Sequence, residues 1–201
     1  MNRREFIKIG SISVIAISTF GCAVAKNESE FVGDCATTTD ILGPFYRANA
    51  PVTQDLTFDG QVGTQVTIVG KVYTDDCETP LSDVKVEIWH ADDEGEYDNN
   101  SNDFLQRAQW TTITNGEYQF KTIVPGRYLN GAQFRPHHFH FRVTHDTHKE
   151  LVSQIYIQGD PYIENDPWAG AENAEKRILA MTEDENQNNT IHFDIHLEKK
   201  S

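Results

Sequence analysis

From about residue 56 onward, apolar and polar side chains alternate with a period of two, broken at short intervals by turn residues. Successive side chains of an extended chain point to opposite sides, so this pattern makes strands with one face for a core and one for solvent. Many short strands of this kind bury their apolar faces by closing into a sandwich or a barrel. Val66, Ile68 and Val72 mark one strand and Val84, Val86 and Ile88 the next, with Asp75-Asp76 and Thr79-Pro80 turning between them. Trp110–Ile113 and Glu117–Ile123 flank Asn115-Gly116, a pair that predicts a two-residue hairpin. Near the end, Ile191, Phe193, Ile195 and Leu197 predict one further strand, and only Ala171–Met181 reads as a helix. The expected fold is all-β, a single antiparallel β-sandwich domain with little helix over residues 38–201. A chain of 201 residues has room for one such core.

Ahead of this domain, residues 1–21 read as a targeting segment. Arg3-Arg4-Glu5-Phe6-Ile7-Lys8 has the form of a twin-arginine export signal, and the apolar run Ile9–Phe20 is short for a membrane span. A retained anchor helix is the other reading of that run. Thr19-Phe20-Gly21-Cys22 resembles a bacterial lipoprotein cleavage box with Cys22 as the acylated residue, and residues 22–37 read as a polar tether. Twin-arginine export to the periplasm or cell surface is therefore expected, with membrane contact confined to a lipid anchor at Cys22. In an oxidising compartment Cys35 and Cys77 can pair, although spacing alone equally allows two free thiols. The net charge of −14 argues against a nucleic-acid partner, whose phosphates attract Lys and Arg.

The stretch Arg135-Pro136-His137-His138-Phe139-His140-Phe141-Arg142-Val143 carries the chemistry. In a strand, Phe139, Phe141 and Val143 share the core face while His138 and His140 project together from the other. Two imidazoles at i and i+2 suit one metal ion, although a solvated polar face has the same pattern. Two tyrosines precede them, Tyr97 and Tyr128, each two residues after a glycine in a loop. Either alone could be a packing residue, the reading that suits Tyr118 inside its strand.

Taken in order, five segments resemble the intradiol ring-cleavage dioxygenases of the catechol and protocatechuate type. They are Ile88-Trp89-His90-Ala91-Asp92, Gly95-Glu96-Tyr97, Tyr118 to Tyr128, Arg135-Pro136-x-His138-x-His140-Phe141, and Gln154 to Pro161. Leu42-Gly43-Pro44-Phe45-Tyr46 is similar to the segment that lines that family's substrate cleft, which marks Leu42, Pro44 and Tyr46 as substrate-binding candidates. The resemblance implies one non-haem Fe(3+) per chain on Tyr97, Tyr128, His138 and His140. It also implies Arg135 beside the substrate, Gln154 near the metal and ring, and Tyr128 as the ligand that yields to substrate and takes its proton. The implied reaction opens an ortho-dihydroxylated aromatic ring with O2 between its hydroxyls, giving a muconate-type diacid. Two phenolates suit a hard ferric ion, whereas zinc more usually recruits thiolate, imidazole and carboxylate. His137 stands where the family commonly has a small residue and is expected to point away from the metal, partly exposed. His145, His148, His192 and His196 are expected at the surface. The chain shows no counterpart of the helical region through which catechol-type members dimerise, so any oligomer is expected to use another surface. A non-catalytic binding module of a cell-surface lipoprotein is the alternative, since β-sandwiches host many functions.

Overall fold

The structure, a computed structural model, describes residues 35–201; the export signal, the lipoprotein-like box and residues 22–34 of the tether lie outside them. Two five-stranded sheets form a sandwich. In one, β1 (Gln65–Tyr73) is flanked by β4 (Glu117–Ile123) on one edge and by β11 (Asn189–His192) and β12 (Ile195–His196) on the other, with β10 (Met181–Glu183) outside β11. The other runs β3 (Arg107–Thr111), β2 (Lys85–Trp89), β7 (His138–Thr144), β8 (Leu151–Ile157), β9 (Ile178–Leu179). A short ribbon of β5 (Leu129–Asn130) and β6 (Gln133–Phe134) stands apart. The alternating apolar residues meet between the sheets. Val66, Ile68, Val72, Phe120 and Ile191 face Val86, Ile88, Phe139, Phe141 and Val143, each at most 1% exposed. Most pairings are antiparallel, but β11 and β12 run parallel to β1, as β9 does to β8.

Three local expectations are corrected. Asn115-Gly116 does turn the chain, with Gly116 at φ +72° and its N–H donating to Ile113 O (2.8 Å). The strands it joins nevertheless pair in different sheets, β3 with β2 and β4 with β1, so no hairpin forms. A turn signal specifies reversal, and burial of both flanking faces decides the partners. The expected helix over 171–181 is only a 3-10 turn at Glu172–Arg177, followed by β9 and β10. There the buried Arg177 side chain and pairing to β8 and β11 outweigh helix propensity. The last strand is broken at Phe193-Asp194, where the Asp194 carboxylate accepts the Lys71 N–H (2.9 Å). Its alternating residues stay buried all the same, from 0% to 3% exposed.

Before β1, residues 36–56 form a strap whose middle, from Asp40 to Pro51, crosses the outer face of the β3-β2-β7-β8-β9 sheet, while Leu56 N–H donates to Lys121 O of β4 (2.8 Å). It is pinned at one edge by Asp40 N–H to Val152 O (2.8 Å) and at the other by Gln109 N–H to Pro51 O (2.9 Å). Cys35, Ala36 and Thr37, read from sequence as the end of the tether, are already fastened: Cys35 is disulfide-bonded to Cys77, and Thr37 N–H donates to His196 O (3.2 Å).

Candidate metal centre

On that outer face, β7 presents His138 and His140 side by side, ring centroids 5.1 Å apart, while Phe139 and Phe141 enter the core. The loop after β2 supplies Tyr97 and the loop after β4 supplies Tyr128. These loops approach backbone to backbone because both carry glycine: a Cβ on Gly126 would lie 2.4 Å from Gly95 N and 2.5 Å from Asp93 O. Gly126 N–H in turn donates to Asp92 O (2.5 Å). The four rings close a circuit, with centroids 5.8 Å apart for Tyr97–Tyr128, 5.5 Å for Tyr128–His138 and 6.2 Å for Tyr97–His140.

Hydrogen bonding fixes the His138 ring and leaves the His140 ring without a partner. His138 Nδ1–H donates to Pro136 O (2.7 Å), which turns the Nε2 lone pair toward Tyr97 Oη, 3.4 Å away. His140 is 1% exposed, and neither ring nitrogen has a partner. Such an orphaned buried imidazole is costly unless something absent from the polypeptide completes it. Trp89 stacks on its ring at 4.9 Å and 10°, and Gly43 of the strap, at φ +72°, passes so close that a Cβ would sit 3.2 Å from His140 Cε1. Burial, together with the Arg135 charge, brings His138 down to about 3, and burial with neighbouring His138 keeps His140 well below its ordinary value. Both imidazoles are therefore neutral at physiological pH, the form in which a ring nitrogen can bind a metal. Burial, reinforced by Tyr128, raises Tyr97, so its phenol stays protonated unless a strong cation draws the proton off. Among the described residues no group of three or more His, Cys, Asp or Glu is placed to hold a metal; beside the two imidazoles, the side-chain oxygens the circuit offers are the Tyr97 and Tyr128 phenols. The donor set fits a ferric ion.

Arg135, 2% exposed, makes two hydrogen bonds to Asp166 (2.8 and 3.2 Å), reaches Tyr156 Oη (3.4 Å) and lies over the Trp168 ring at 4.2 Å. Burial opposes its charge, and Asp166 more than offsets that, leaving it above its ordinary value. Gln154 lies across from His140 on β8, fully buried. Beside the tyrosines a cavity of ≈ 420 Å³ is walled by Phe45, Tyr97, Tyr128, Leu129 and Phe134, with Glu94 and Glu96 at its rim. A larger hollow of ≈ 530 Å³ lies over β1 and β4, remote from this chemistry.

The strap presents its alternate residues. Gly43 meets His140, and Phe45 stacks on Tyr97 at 4.1 Å and 15°. Leu42 and Pro44 are exposed, and neither they nor Tyr46 form part of the cavity wall. Tyr46 instead bonds Glu87 and Arg142 (3.1 and 2.9 Å) and packs edge-on against Trp89. Sequence reasoning also missed Asp40, Asp166 and Trp168, for which no local pattern exists. His137 is only partly exposed and does structural work: Nδ1–H donates to Pro125 O (2.5 Å), and its backbone N–H to Asp160 Oδ2 (3.0 Å). His148, expected at the surface, is 4% exposed and bonds Thr74 through Nε2 (3.0 Å).

A profile of the family described as Dioxygenase (Dioxygenase_C) matches residues 41–199. The chain belongs to the intradiol ring-cleavage dioxygenase family. It is 34% identical over 154 residues to the catechol 1,2-dioxygenase of Acinetobacter baylyi, covering 65% of this chain and 49% of that protein. It is 30% identical over 191 residues to the hydroxyquinol 1,2-dioxygenase of Nocardioides simplex, covering 86% and 62%. Among solved structures it resembles catechol 1,2-dioxygenase from Acinetobacter sp. ADP1 inhibited by bound mercury, with TM-score 0.72, 27% identity, and 83% and 64% coverage. The chain thus spans about half to three fifths of the length of the first curated relatives it matches.

Proposed function

We propose that this chain is an exported, iron(III)-dependent intradiol dioxygenase that opens catechol-type rings with O2 to muconate-type diacids. The observation that carries the reading is the four-ring circuit in which both His140 nitrogens are buried without a partner. Tyr97, Tyr128, His138 and His140 would hold the ion. Bound there, a ferric centre supplies the electron withdrawal that makes a catecholate reactive toward O2. The chain's own residues do the rest. Tyr128 Oη takes a hydroxyl proton as the diol enters, and the stacked Phe45 and Tyr97 wall the ring in. Arg135, held rigid by Asp166 and Trp168, stabilises negative charge developing on the ring. The Cys35–Cys77 disulfide supports the export part of the proposal.

The test is a visible absorption spectrum with metal analysis on the full-length protein. One iron per chain, a broad tyrosinate-to-iron band that shifts with catechol, and loss of both in Tyr97→Phe and His138→Ala are expected. A protein that stays colourless after ferric loading would overturn the proposal and favour a binding module.

A further inference from the structure

Gln154 is 0% exposed, yet only half of its carboxamide is satisfied. Its Nε2 donates to Asp40 Oδ1 (3.1 Å) and to Ile41 O (3.2 Å), which uses both N–H bonds. Its Oε1 is buried and has no donor. Turning the amide over would set Oε1 against a carboxylate and a carbonyl, oxygen facing oxygen at hydrogen-bond distance. Asp40 and the Ile41 carbonyl therefore decide which end of the amide faces the other way. The end they leave is an acceptor, on the residue that pairs across the sheet with His140, whose nitrogens also lack partners.

Asp40 is itself held from several sides. Its side chain is 2% exposed and forms a buried ion pair with Arg177. Its Oδ2 accepts from Tyr156 Oη (2.7 Å), and Tyr156 Oη in turn lies 3.4 Å from Arg135 Nη2. Arg177 also donates to Thr38 Oγ1 (2.8 Å) and to the Gln154 backbone carbonyl (3.1 Å). One carboxylate on the strap thus grips both a glutamine beside the metal centre and a tyrosine that touches Arg135.

We propose that Asp40 is a positioning residue for ring cleavage: it fixes the Gln154 carboxamide with its oxygen toward the ligand space. There Oε1 accepts a hydrogen bond from a hydroxyl of the incoming diol, a donor the polypeptide does not supply. The role toward the diol rests on the function proposed above, whereas the orientation of Gln154 does not.

The experiment has two arms. In the metal-free, 15N-labelled full chain, the Gln154 side-chain NH2 signals, assigned by their loss in Gln154→Glu, are expected to be protected from solvent exchange. In Asp40→Asn they shift and lose that protection. In the iron-loaded enzyme, Asp40→Asn is expected to lower kcat/KM for catechol about tenfold, yet less than about twofold in a Gln154→Ala background, because a coupled pair gives non-additive losses. Unchanged NH2 signals, or losses that multiply in the double variant, overturn the proposal. Should Asp40→Asn fail to fold, Asp40→Asn with Arg177→Gln removes both buried charges and carries the same two arms. The NMR arm needs neither iron nor turnover, so an inactive wild-type enzyme would sink the proposed function while the orientation of Gln154 is still decided.

Discussion

His90 shows how single side chains here trade acid stability for order. Burial brings it down to about 4 from an ordinary 6.5, while its ring bonds Ala91 O and Thr122 Oγ1. Between those pH values the unfolded chain holds a proton that the folded one lacks. Stability therefore falls as pH drops from 6.5 toward 4, by about 1.4 kcal/mol per pH unit for this one group. Buried His138 and His140 add to the slope with the same sign. Urea unfolding of the metal-free protein across that window is expected to be about one proton shallower in His90→Asn, and an identical slope would refute the assignment. The shared outward face of His138 and His140 was legible in the sequence because alternation is local. The partners of Arg135 were not, since Asp166 and Trp168 reach it from a distant loop.

At the scale of elements, the candidate centre depends on how closely two loops pass. Gly126 and Gly95 let the tyrosine-bearing segments touch, with no room for a Cβ on Gly126. Gly126→Ala is expected to separate Tyr97 from Tyr128 and to cut iron occupancy at least about tenfold, while the strand core still folds. Metal analysis beside a far-UV spectrum checks this, and full iron content would show that the loops are more accommodating. The strap adds two contacts that its motif did not single out: Gly43 passes against His140 and Phe45 stacks on Tyr97. Such contacts depend on how the strap crosses the sheet, which a segment that pairs in no sheet does not show in its own pattern.

Across the whole molecule, the Cys35–Cys77 bond fastens the start of the strap to the β1–β2 connection, closing a loop with a sequence separation of 42. Chain-entropy arguments put its contribution at about 4 kcal/mol, so Cys77→Ser or reduction is expected to lower the melting temperature markedly. An unchanged melting curve under reductant would contradict this. The net charge of −14 acts at the same scale, and along the cavity Glu94 and Glu96 outnumber Arg127, which is itself paired with Asp160. Carboxylated catechols are expected to be poorer substrates than neutral ones at low ionic strength, with kcat/KM rising as salt is added. Glu94→Gln with Glu96→Gln should flatten that response, and an equal salt dependence for both substrate types would count against it.

The sequence by itself determined that the chain is all-β and which residues face the core, because alternation is local. The four side chains of the candidate centre, spread over residues 97–140, were named only through the resemblance of several motifs, in order, to one family. Tertiary structure alone decided that Asn115-Gly116 links two sheets, that residues 171–181 yield one 3-10 turn and two short strands, and that Cys35 pairs with Cys77. It also decided that Asp40 grips Gln154 across 114 residues. Such pairings are settled by which buried faces and charges find partners once the chain has closed, and no short stretch of sequence carries that information.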